Sequence, residues 1–105
     1  MRVLVDECLP RFLERVWPGH FVQTAQDCRW AGIKNGQLLL LAEEKFDVFL
    51  TSDKNLRYQQ NLAERKIAVI EFPVNSRAAV KLLVPQLIEA LNTLRPGSYT
   101  QLDRR

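Results

Sequence analysis

The sequence predicts an α/β fold in which four or five short, mainly parallel strands alternate with helices. Three observations carry that prediction. Short apolar runs, Val3 to Val5, Val48 to Leu50 and Ile67 to Ile70, recur along the chain and are apolar on both faces, the mark of strands buried within a parallel sheet. Stretches of helical spacing lie between them, so successive strands are joined by crossovers. Finally, 105 residues, 47% of them hydrophobic, suffice for one core that stands without disulfides.

Each element has its own signal. Val3, Leu4 and Val5 form the first strand, and Asp6-Glu7 ends it abruptly. Pro10 suits the first turn of a helix, because its missing N–H would have no helical partner there. Phe12, Leu13, Val16 and Trp17 recur at helical spacing until Pro18-Gly19 stop them. His20 to Ala25 alternates and reads as a second strand, whereas Asp27 to Lys34 is irregular. Asn35 is placed to N-cap a helix running to about Lys45. Leu38 to Leu41 would be apolar around the whole cylinder, so this helix is expected to be largely buried.

The third strand, Val48 to Leu50, ends on Thr51-Ser52-Asp53, and a polar helical stretch follows from about Leu56 to Arg65. The chain leaves the fourth strand, Ile67 to Ile70, through Glu71, Phe72 and Pro73. Ser76 is placed to cap a helix in which Val80, Leu83, Val84, Leu87, Ile88 and Leu91 follow the i, i+3, i+4, i+7 rule. Pro85 predicts a kink or a fresh helical start within it. Arg95-Pro96-Gly97 terminates that helix, and Ser98 to Leu102 suits a short edge strand. No repeat, low-complexity tract or linker divides residues 1–105, which read as a single domain.

Composition narrows the class of protein. No apolar run reaches the roughly 20 residues of a membrane span, and the opening Met-Arg-Val-Leu-Val-Asp-Glu is charged too early for a signal peptide. A cytoplasmic protein with no membrane partner is the expectation. Cys8 and Cys28 fit no zinc spacing and read as buried, reduced thiols. A net charge of +3 permits a nucleic-acid partner without demanding one.

Chemistry is expected at the carboxyl ends of the strands, where sites form in open parallel sheets. Three ends are acidic: Asp6-Glu7, Asp53 and Glu71. Carboxylates at neighbouring ends share a hard divalent cation readily, since Mg²⁺ and Mn²⁺ prefer oxygen ligands. Helix capping competes as an explanation: Asp6 could satisfy backbone N–H groups near Cys8 and Leu9, and Ser52 or Asp53 could cap the helix beyond. Glu71 reads more simply as a solvated strand end, and Glu43 and Glu44 as the wet side of their helix. His20, the sole histidine, is expected to pack near a strand start, and Trp30 to seal an edge of the core. Tyr58, Gln59, Gln60 and Asn61 form an amide-rich segment with Lys54, Arg57, Arg65 and Lys66 nearby. That segment is either a solvated helix face or a hydrogen-bonding surface for RNA or a protein partner.

Four motifs together resemble a family. Leu-Val-Asp-Glu-x-Leu-Pro at 4–10, Gly-His-x-Val at 19–22, Trp-Ala-Gly at 30–32 and Leu-Thr-Ser-Asp at 50–53 resemble the short PIN-like proteins. That group is similar to the VapC-type toxins of bacterial type II toxin–antitoxin systems. Asn-Leu-x-Tyr-Gln-Gln-Asn-Leu at 55–62 looks like one of its subgroups, so the similarity runs from end to end of the chain. The resemblance implies a PIN-like three-layer sandwich, a parallel sheet between helices whose acidic cluster binds Mg²⁺ or Mn²⁺ to cleave RNA. It implies an antitoxin protein as partner and allows a homodimer.

Asp6 matches the family's acid after the first strand, and Asp53 the acid of its Thr-x-Asp motif. Elsewhere the chain departs from the pattern: Asn35 stands where relatives often have Asp, Gln37 where Glu is frequent, and Asn55 where many carry a second acid. Amides are neutral oxygen donors, so these exchanges weaken the attraction for a cation. The expected catalytic pair is therefore Asp6 and Asp53, with Glu7, Asn35 and Asn55 as auxiliary metal ligands. Lys54, Arg57, Tyr58, Gln59, Gln60 and Asn61 would face RNA or a partner. The function expected is a metal-dependent endoribonuclease, and the alternative is a catalytically weakened module that binds RNA or an antitoxin.

Overall fold

A computed structural model describes residues 1–16, 19–54, 56 and 65–103. Its elements are β1 (Arg2–Val5), a 3-10 helix (Arg11–Arg15), β2 (Phe21–Thr24), α1 (Asn35–Ala42), β3 (Val48–Thr51), β4 (Ala68–Glu71), α2 (Arg77–Leu82), α3 (Val84–Asn92) and β5 (Tyr99–Gln101). The five strands form one sheet in the order β2-β1-β3-β4-β5, and all four pairings are parallel. Ser98 to Leu102, expected as an edge strand, supplies β5 at the sheet margin.

Side chains alternate across the strands and build two cores. Val3, Val5, Val48, Leu50, Ala68 and Ile70 face one way and meet Leu13, Val80, Leu87 and Leu91. Leu4, Phe49 and Val69 face the other way and meet Leu38, Leu39, Ala42 and Phe46. A sheet covered on both faces is why its strands are continuous apolar runs. The chain is thus an α/β protein with helices on both faces of an all-parallel sheet.

Pro85 stands in the first turn of α3, so the expected long helix is two, with Leu83 between them. A proline there forfeits no hydrogen bond, because the first-turn N–H groups have no helical acceptor. Ser76 caps α2 as expected, its hydroxyl accepting the Ala79 N–H at 3.4 Å. The turn into β5 needs Gly97 in the left-handed region, at φ 73°.

Three expectations need correction. The first helix is a single 3-10 segment with only Leu13 buried, since a side chain every third residue satisfies this tighter turn as well as an α-helix. Lys34, with extended backbone, precedes α1, and Asn35 is its first helical residue rather than its cap. The same helix is not largely buried: Leu38 and Leu39 are inside, but Leu40 is 54% and Leu41 43% exposed. It lies on one face of the sheet, so only one stripe of an all-apolar cylinder reaches the core.

Candidate functional site

The strand order reverses between β1 and β3. The chain goes from β1 outward to β2, then returns past β1 to β3. The two crossovers diverge there, leaving a crevice at the carboxyl ends of these strands, the place where open α/β sheets bind ligands. Asp6 and Thr51 stand on either side of it. The Asp6 N–H donates to Leu50 O at 2.9 Å, extending the ladder one step beyond the Val5–Leu50 pair.

Asp6 is only 7% exposed. Its Oδ1 accepts the Glu7 N–H at 2.8 Å. Its Oδ2 accepts the Thr51 hydroxyl at 2.7 Å and the Cys8 thiol at 3.3 Å. Burial pushes its pKa up, against the Thr51, Cys8 and Glu7 hydrogen bonds that favour the anion, and the nearby Glu7 charge adds to the rise. No cation among the described residues pairs with it. The capping reading holds in part: the side chain satisfies Glu7 N–H, whereas Leu9 N–H goes to the Asp6 carbonyl at 3.1 Å.

Thr51 joins the two predicted acids. While its hydroxyl donates to Asp6, its oxygen accepts the Asp53 N–H at 3.0 Å. Ser52 extends the cluster by donating to Cys8 Sγ at 3.0 Å. Cys8 is therefore an exposed residue of this edge, not the buried thiol expected, while Cys28 is half-buried and donates to Gln23 Oε1 at 3.6 Å. Partial burial and the adjacent Asp6 carboxylate both raise the Cys8 pKa, so the sulfur stays a thiol near neutrality.

Glu7 has a different employment. Its Oε1 accepts the Gly32 N–H at 3.0 Å, tying the loop after β2 to the end of β1. Gly32 sits at φ 84°, a conformation that favours glycine, which is why the Trp-Ala-Gly motif ends as it does. Lys54 is exposed at the same edge. The Asn35 side chain, Asn55, Arg57, Tyr58, Gln59, Gln60 and Asn61 lie outside the described residues. Among the described residues, no three His, Cys, Asp or Glu side chains converge as a metal-binding group.

Sequence reasoning missed Glu71. Expected as a solvated strand end, it is 4% exposed, in register with Thr51 on one side and Gln101 on the other. The Tyr99 hydroxyl donates to its Oε1, and Gln101 Nε2 donates to its Oε2 at 3.1 Å. Asp6, Thr51, Glu71 and Gln101 thus form a polar row along the carboxyl edge. The alternation of Tyr99 and Gln101 puts both on one face of β5, but nothing local says that this face meets Glu71.

Two other readings change. His20 is exposed just before β2 instead of packed, and Glu43 is half-buried rather than wet, accepting Lys66 N–H at 2.7 Å beside Arg65. Trp30 does seal a core edge, meeting Phe46 edge-on at 6.0 Å. The chain matches no protein-family model, no curated protein and no solved structure.

Proposed function

We propose that the chain is a PIN-like endoribonuclease of the toxin kind, dependent on Mg²⁺ or Mn²⁺, with its site in the β1/β3 crevice. One observation carries this reading: Asp6, a buried carboxylate at the switch point, is held by neutral donors alone. A desolvated anion without a cationic partner gains most from a bound cation.

The donors fit a hard ion. Asp6 and Asp53 would supply carboxylate oxygens, with Thr51 between them and Asn35 and Asn55 as neutral auxiliaries. When bound, Mg²⁺ or Mn²⁺ would supply positive charge at a phosphodiester and acidify water. Thr51 holds the Asp6 carboxylate and the Asp53 backbone through one hydroxyl. Lys54 would meet a phosphate by charge, without reading sequence.

A second reading is favoured by Asn35 and Asn55, neutral amides where further carboxylates would strengthen a cation site. It is a PIN-like module that binds RNA or an antitoxin protein without efficient cleavage. Calorimetric titration with MnCl2 and MgCl2, beside a gel assay on single-stranded RNA, separates the two. The nuclease reading expects one saturable site, weakened by about tenfold or more in Asp6→Asn and in Asp53→Asn, and cleavage that stops with EDTA. RNA binding with no saturable metal site and no cleavage would sink it in favour of the module.

A further inference from the structure

The sheet has a second crevice, at the opposite end of its strands. A cleft of about 470 Å³ opens where the amino ends of β1, β3, β4 and β5 converge. Phe46, Leu94 and Pro96 give it an apolar lining, and Arg2, Lys66 and Arg95 bring positive charge. We propose that this cleft binds a small organic anion, a phosphate or carboxylate carried on a flat or apolar body.

The charges support this by elimination. Two carboxylates line the cleft, and both are already satisfied. Asp47 accepts the Arg2 N–H at 2.8 Å and faces the Arg2 guanidinium at 3.6 Å. Glu43 accepts the Lys66 N–H at 2.7 Å and faces the Arg65 guanidinium at 3.6 Å. The Lys66 ammonium and the Arg95 guanidinium have no carboxylate within ion-pairing distance among the described residues. The cleft therefore presents two uncompensated cations beside apolar side chains. Single exposed cations mean little, but two sharing one concavity of ligand size make an anion site.

The cleft is also preformed. Asp47 N–H donates to Arg2 O at 2.8 Å, Ala68 N–H to Asp47 O at 3.0 Å and Gly97 N–H to Lys66 O at 3.1 Å. These bonds link the segments that carry the charges, so the backbone of the cleft is in place before a ligand arrives. A polyanion fits less well than a small molecule. Two cations make no track for a phosphate backbone, and Glu43 and Asp47 in the lining repel one that runs past. The proposal stands apart from the Asp6 crevice and from the function assigned to it.

Amide chemical shifts in a ¹⁵N NMR titration test it. The probes are adenosine monophosphate and phenylacetate, as the phosphate and carboxylate forms, with adenosine and inorganic phosphate as the separate halves. At least one of the first two should shift Arg2, Asp47, Lys66, Arg95 and Gly97 saturably. Inorganic phosphate and adenosine should bind about tenfold more weakly or worse. Whichever probe saturates identifies the head group. The double variant Lys66→Gln, Arg95→Gln, with an otherwise unchanged spectrum, should lose the binding. The proposal is overturned if neither probe saturates, if the shifts centre on Asp6 and Asp53, or if the double variant binds like wild type. Inorganic phosphate binding as tightly as adenosine monophosphate would overturn it too, because the apolar lining would then contribute nothing.

Discussion

The Thr51 hydroxyl lies 2.7 Å from Asp6 Oδ2 and accepts the Asp53 N–H at 3.0 Å, so one side chain serves both acids of the crevice. Thr51 is fully buried, and water cannot replace it. Thr51→Val keeps the shape and removes the hydroxyl. It should cost about 1–3 kcal/mol, the penalty for leaving buried polar groups unsatisfied, while Thr51→Ser should recover most of the loss. Urea melts of the three proteins check this, and a Val variant as stable as wild type would mean that the bridge contributes nothing.

Asp6 predicts a pH effect in the metal-free protein. Its folded pKa is raised above the ordinary aspartate value, chiefly by burial. Between the unfolded and folded values the native state binds more protons than the unfolded state, so stability falls as pH rises through that window. Protonated Asp6 therefore favours the fold, and its ionised form costs stability near neutrality. Asp6→Asn, which stays neutral, should gain on wild type as pH rises above about 4 and then hold a constant lead. Thermal melts in EDTA across pH 3 to 8 (about the range of the carboxylate and its raised pKa) would show it. A difference that does not vary with pH would refute the assignment.

The two helices packed on the Val5 and Leu50 face test the core. Leu87 is fully buried in α3, whereas Leu82 at the end of α2 is 78% exposed. Leu87→Ala should cost about 2–5 kcal/mol, and Leu82→Ala should stay within about 0.5 kcal/mol of wild type. Denaturant melts of both suffice. A larger loss at Leu82 would show that this leucine is covered in solution by another molecule.

Restoring charge should strengthen the proposed ion site. Asn35→Asp with Asn55→Asp offers two further anionic oxygens and should tighten Mn²⁺ binding, with RNA cleavage rising in parallel. The same change should lower the stability of the metal-free protein, since crowded carboxylates repel one another. Adding Asp53→Asn should cancel the gain. Calorimetry and RNA gels on the series decide between a depleted nuclease and a binding module.

Much of this was legible in the chain because its strands are buried on both faces. Val3 to Val5 and Val48 to Leu50 announce themselves as apolar runs, and the acids that follow them mark where the runs end. Pro85 was equally plain, since its missing N–H dictates where a helix can begin. Leu40 and Leu41 misled because composition tells how apolar a helix is, not how much of it a flat sheet can cover. Glu71 misled for the converse reason. Its burial depends on Tyr99 and Gln101, brought alongside by a crossover of some thirty residues that no local pattern records.

The central place of β1 bears on how the chain is made. In synthesis β1 emerges before both of its final neighbours, β2 on one side and β3 on the other. From the appearance of Thr24 until that of Val48, the Val3-Leu4-Val5 run has one partner and an unpaired edge, and its Val3 and Val5 face still awaits α2 and α3. Such an edge is a template for other chains, and parallel pairing is slow because a long loop must close first. The nascent protein therefore passes through an interval in which its future centre is its stickiest surface. Chaperone capture should concentrate on chains stalled in that interval, and fall once β3 has docked.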